Sequence, residues 1–199
     1  PNGAEGALLV SRHAERLQAA GVYGRAADLL EYQLFNRAGD LARGPLSARV
    51  ASLHILAGRP DRALDLLKRS ADPGYPDAMI HARKRMEAVA LTQIGRVPEA
   101  FAVLQDVPGA VALRAEILWK RRDWLGLVAE TAAALPRPGA LSEVDQAMVL
   151  RHAISLAMLG REDGLATLRG RYQASFRGLK TAAVFDMLTG APGAVDPET

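Results

Sequence analysis

Four histidines, His13, His54, His81 and His152, are the side chains best suited to metal or proton chemistry in this sequence. A protein metal centre needs three or four ligands converging at about 2 Å, and a helix announces one by paired spacing such as i, i+4. These histidines show no such pairing. His13 and His152 share one place in a recurring pattern, and His54 stands where that pattern otherwise has leucine. They read as structural or solvent-facing, so no metal is expected. Cysteine is absent, which removes disulfides, thiolate metal sites and cysteine nucleophiles. The sequence also lacks the G-x-x-x-x-G-K-[ST] loop, the G-x-S-x-G elbow and the H-E-x-x-H helix. Carboxylates such as Glu15 and Glu116 read as solvated helix-surface groups. The expectation is a non-enzymatic protein with no catalytic residue and no cofactor.

Two basic stretches point to different chemistry. "HARKR" (His81 to Arg85) and "WKRRDW" (Trp119 to Trp124) mix cations with aromatic rings, a combination that contacts phosphates and stacks bases. Helical repeats can also read RNA base by base. Against that, "HARKR" spreads its charges around a helix, and Glu87, Glu116, Asp123 and Glu130 lie close in sequence. The chain carries 25 basic and 22 acidic residues, a formal charge of only +3, so no strong field for nucleic acid or membrane follows. Scarce lysine beside abundant Arg, Ala and Gly reads as a GC-rich bacterial coding sequence. Nucleic-acid binding through the basic 81–122 region is the alternative reading, and nucleic acid is not the expected partner.

The elements that would position these residues are written as repeats. With 49% hydrophobic and 24% charged residues the 199-residue composition is that of an ordinary folded protein. No window approaches the roughly 18 to 20 apolar residues of a membrane span, and no signal-type segment stands at the amino terminus. A soluble protein is expected, cytoplasmic in preference to periplasmic. The opening Pro1-Asn2-Gly3, without Met, reads as a piece of a larger protein whose native N-terminus is missing.

"LAGRPDRA" (Leu56 to Ala63) and "QIGRVPEA" (Gln93 to Ala100) are near copies. With the turn residue as anchor, the series is Gly21, Gly58, Gly95, Arg122 and Gly160, at spacings of 37, 37, 27 and 38 residues. Seven residues before each anchor stands Ala14, Ala51, Ala88, Ala115 or Ala153. Four before come Leu17, His54, Leu91, Leu118 and Leu156, and five after come Ala26, Ala63, Ala100, Leu127 and Leu165. Nine after, Leu30, Leu67 and Leu104 give way to Thr131 and Arg169. Residues three and four apart share a helix face, so each unit predicts two antiparallel helices. Alanine allows them to approach closely, and glycine at the anchor suits a left-handed helix terminus.

Proline inside a helix loses a hydrogen bond and clashes, at about 3 kcal/mol or more. The expectation is that all eleven avoid helix interiors: Pro45, Pro60 and Pro98 in first turns, Pro73, Pro76, Pro108, Pro136 and Pro138 in connections, and Pro1, Pro192 and Pro197 at the termini. The pattern predicts helices over 7–20, 24–38, 45–57, 60–70, 77–94, 97–106, 109–121, 124–135, 142–159 and 162–173. A capping helix near 175–189, with Phe176, Leu179, Ala183 and Met187 on one face, would close the array. "APGAVDPET" from Ala191 reads as a disordered tail.

Taken together, the small residue, the leucine three later, the turn glycine and the following alanine resemble the tetratricopeptide repeat (TPR), in about five degenerate units over Leu8 to Tyr172. The unit around Arg122 lacks the glycine, and the spacings depart from the family's 34. The resemblance implies an all-α fold of antiparallel helix pairs stacked as a right-handed α-solenoid, here one domain over 1–190. It also implies a protein-interaction or scaffold role, with a peptide or partner helix held in a concave groove lined by the first helices. The family's carboxylate clamp is not matched: the corresponding places hold Ser11, Ala48, Arg85, Ala112 and Leu150. Candidate groove contacts are Gln18, Ser52, Arg85, Val89, Thr92, Glu116 and Trp119. Self-assembly through the array ends, as a homo-oligomer, is a third reading.

Overall fold

A backbone turn repeated five times organises the molecule. The computed structural model describes residues 3–36 and 39–190, and among these it has eleven α-helices and no strand. The anchors Gly21, Gly58, Gly95 and Gly160 have φ of 73°, 69°, 82° and 64°. Arg122 follows at 56°, the one non-glycine residue with positive φ among those described. At each anchor the N–H bonds back three residues, as in Gly95 to the Thr92 carbonyl at 3.0 Å, and the next N–H bonds back five, as in Arg96 to Leu91 at 2.9 Å. The pair of bonds is a Schellman C-cap, which satisfies carbonyls that a helix end would otherwise leave orphaned. The residue after the anchor then serves the next helix, its carbonyl accepting the first bond, as Arg96 does from Ala100 at 3.1 Å. One residue thus ends a helix and starts its partner.

Arg122 pays for its position, since the left-handed region costs a residue with a Cβ about 1–2 kcal/mol. Arg122→Gly is expected to raise stability by about 1 kcal/mol once glycine's extra unfolded-state freedom is counted. A urea midpoint at or below wild type would contradict the strained corner.

Two compact units result, residues 1–110 and 111–199. The first holds α1 (Ala4–Ala19), α2 (Tyr23–Asn36), α3 (Asp40–Leu56), α4 (Pro60–Arg69), α5 (Asp77–Gln93) and α6 (Val97–Leu104). Each packs on the next, and α3 also meets α5. The second holds α7 (Val111–Lys120), α8 (Trp124–Ala132), α9 (Glu143–Met158), α10 (Glu162–Phe176) and α11 (Ala182–Thr189), packed in sequence, with α11 also on α9.

The repeat columns supply the buried residues. All five alanines seven before the anchors are 0% exposed. So are Ala26, Ala63, Ala100 and Leu127 in the column five after. The first unit's core gathers Leu30, Leu34, Val50, Leu53 and Leu66. The second gathers Val149, Leu168, Tyr172, Phe176 and Phe185.

Two expectations about element ends are corrected. Pro45 does not open a helix; α3 begins at Asp40 and carries Pro45 in its interior. Packing overrides the local penalty there, because the turn is pressed onto its neighbours. A Cβ placed on Gly44 would lie 2.7 Å from Met79 Sδ and 3.2 Å from Tyr75 Cε1. Second, the capping stretch is not one helix. Phe176 ends α10, Gly178 turns at φ 80°, and α11 starts only at Ala182. The two rings still meet, Phe176 stacking on Phe185 with centroids 4.2 Å apart. Pro60 and Pro98 do stand in first turns. The expected disordered tail at 191–199, the prolines Pro1, Pro192 and Pro197, and the helix end at 37–38 lie outside the described residues.

Candidate functional site

On α5, at about 100° per residue, Arg85, Val89 and Thr92 fall on one side and Ile80, Arg83, Glu87 and Leu91 on the other. The first set are candidate groove contacts. Arg85 is half-buried and its Nη2 donates to the Pro108 carbonyl at 2.8 Å; the Thr92 hydroxyl donates to the Ala88 carbonyl at 2.8 Å. Val89 is half-buried and Ser52, on α3, is exposed. Exposed Gln18, on α1, borders a shallow cavity of about 460 Å³ with Glu15, Tyr23 and Leu56. No hydrogen bond among the described residues joins these five to one another.

In the second unit Glu116 and Trp119 do come together, around a residue not singled out from the sequence. Arg151 of α9 donates from Nη2 to Glu116 Oε2 at 2.8 Å, and its guanidinium carbon sits 5.4 Å from the Trp119 ring centroid. Trp124 meets Trp119 edge-on at 5.7 Å, and Lys120 Nζ lies 3.6 Å from Glu116 Oε1. The signal for Arg151 was its column. Arg12, Arg49 and Arg151 all stand nine before an anchor. Arg49 makes a similar diagonal, donating to Ser11 Oγ at 3.3 Å, which donates to Glu15 Oε1 at 3.3 Å.

The other side of α5 forms the floor of a larger cleft, about 720 Å³, between α4 and α6. Arg83 lies in this floor, 7% exposed. It donates to Ser47 Oγ at 2.7 Å, the Leu67 carbonyl at 2.9 Å and Ser70 Oγ at 2.8 Å, and faces the Tyr75 ring at 5.3 Å. All these partners are neutral. The α4 C-terminus, with Ser70 as its cap, supplies the partial negative charge of a helix end. Burial lowers the Arg83 pKa from its ordinary value.

Two histidines are buried. His54 donates from Nε2 to Glu31 Oε2 at 2.8 Å, and Asp28 completes a group whose ligand atoms lie within 4.8 Å of one another. That geometry fits a metal poorly. Arg59 and Arg62 already hold Asp28, Arg69 holds Glu31, and a metal on Nε2 would force a proton onto buried Nδ1, which has no partner. The group is an ion-pair network linking α2, α3 and α4.

His152 of α9 lies against Thr131 of α8, Nδ1 to Oγ1 2.8 Å. The Thr131 proton goes to the Leu127 carbonyl at 2.6 Å, so His152 Nδ1 carries the hydrogen between them. Burial, and after it the charge of Arg171, pulls the His152 pKa below its ordinary 6.5. The unfolded chain therefore takes up a proton below about pH 6.5 that the folded chain resists. This contribution is complete above that pH and declines as the pH falls toward the folded value. The wild-type urea midpoint should drop between pH 7 and 5 by more than that of His152→Asn; equal drops would contradict the assignment.

None of the family models, curated proteins or solved structures compared with the chain matches it.

Proposed function

We propose that the chain is a non-enzymatic protein-interaction module of tetratricopeptide type, its helix pairs stacking in that family's right-handed sense to hold a peptide or partner helix. The observation that carries the reading is the Glu116–Arg151–Trp119 cluster on a frame of five equivalent corners. Columns that hold in all five units, as the buried alanines do, are spent on the frame. Residues that differ from unit to unit are left for recognition, and Trp and Arg are the side chains most enriched at binding hot spots. Trp119 is half-buried, held between Arg151 and Trp124, so little side-chain freedom is lost when a partner covers it.

The basic 81–122 region supports nucleic acid less well. Lys84 is paired with Asp106, Arg114 with Glu130 and Lys120 with Glu116, while Arg85 is tied to a carbonyl. The three paired charges are compensated within the chain.

The test is selection of binders from a displayed random-peptide library, followed by calorimetry on the peptides obtained. Trp119→Ala should weaken binding about 30-fold or more, the equivalent of a hot-spot loss of about 2 kcal/mol, with the thermal unfolding checked alongside. Peptides that bind Trp119→Ala and Glu116→Gln as tightly as wild type would overturn the site, and binding of RNA with a steep salt slope in place of peptide would overturn the class.

A further inference from the structure

The α4–α5–α6 cleft lies on the side of α5 opposite the proposed peptide contacts, and its chemistry is different. Arg83 stands twelve residues before its anchor, a place held in the other units by Leu9, Leu46, Ala110 and Met148. The fold thus builds this position with apolar side chains, and the charge is a local addition. Burying an arginine costs several kcal/mol unless it is compensated, and among the described residues no carboxylate comes within ion-pair distance of Arg83. Its three hydrogen bonds and the Tyr75 face satisfy donors without neutralising the charge.

The rest of the lining sorts into paired and unpaired groups. Lys84 is engaged with Asp106 and Arg96 with Glu99, whereas Lys68 at the edge of the cleft has no ion pair among the described residues. On the acidic side Glu87 stands one turn beyond Arg83, and Asp72 Oδ1 accepts the Gly74 N–H at 2.8 Å. Ile80, Leu91 and Val103 supply apolar wall. A cleft of this volume is within the usual range for small-molecule sites, about 300–1,000 Å³.

We propose that this cleft binds an oxyanion, a carboxylate or phosphate, at Arg83, with Lys68 at its mouth and the apolar wall taking any hydrocarbon that carries it. An arriving oxyanion meets a guanidinium already fixed in place and partly desolvated, the arrangement that makes charge-assisted hydrogen bonds strong. This site is independent of the peptide-binding reading and takes a different class of ligand.

The experiment follows the Arg83 Nε–Hε signal in nitrogen–proton spectra of the full chain, titrated separately with octanoate, octanamide and inorganic phosphate. Octanoate is expected to shift the signal saturably, with octanamide at least tenfold weaker. Phosphate matching octanoate would identify a free oxyanion as the ligand, and phosphate much weaker would identify an acid on an apolar body. Arg83→Met should abolish the octanoate response of the neighbouring Ile80 and Val103 methyl signals. The wild-type comparison stands even where that variant does not fold. An unmoved Arg83 signal, or equal responses to octanoate and octanamide, would overturn the proposal.

Discussion

Phe185→Ala should destabilise the second unit by about 3–5 kcal/mol, the usual cost of deleting a buried ring with incomplete collapse around it. Phe185 is 0% exposed and lies parallel to Phe176, with 2° between the rings. The ring is the main apolar anchor by which an eight-residue helix, α11, holds to α10 and α9. Phe185→Leu, which keeps most of the volume, should cost much less. The check is urea unfolding followed by far-UV circular dichroism, and an alanine variant within 1 kcal/mol of wild type would show that α11 does not cover the core as described.

Leu91→Ala comes next, with about 2–5 kcal/mol lost, and it is best read beside Ala88→Leu. Leu91 is 4% exposed and Ala88 is 0% exposed, on the same face of α5. In the first case a gap opens where the stripe leucine packs. In the second, extra methyl and methylene groups enter the contact that brings the paired helices close, at about 1–3 kcal/mol. Opposite changes in volume that both destabilise are the signature of a position-specific fit. If both variants melt with wild type, the register of the repeat is wrong.

The fold was legible wherever one residue type does a job that no other does as well. Glycine in the left-handed region placed four corners, and the column then placed the fifth at Arg122 despite its side chain. Alanine at the close contact marked the first helix of every pair. Proline was informative at Pro60 and Pro98 and misleading at Pro45, where the contact of Gly44 with Met79 and Tyr75 outweighs a local penalty. The break between α10 and α11 was signalled by Gly178, the same kind of residue that marked the corners, but outside their column.

The candidate site was less legible, because it depends on which helices meet. Glu116 and Trp119 share a helix face and could be paired from spacing, but Arg151 lies 35 residues from Glu116 and reaches it from α9. Arg83 sits inside "HARKR", whose charges look evenly spread around a helix. Its burial becomes readable only when the place twelve before each anchor is compared across the units. His54 was visible as a polar intruder in a leucine column, but its answer, Glu31, belongs to α2.

The function proposed above places recognition on the non-repeating faces of the first helices. It is tested most directly by nitrogen–proton spectra of the whole chain, titrated with a peptide selected as described. Shifts centred on Trp119, Glu116 and Arg151 are expected. Shifts confined to Asp28, Arg62 and Asp65 on α2 and α4, with Trp119 unmoved, would contradict it.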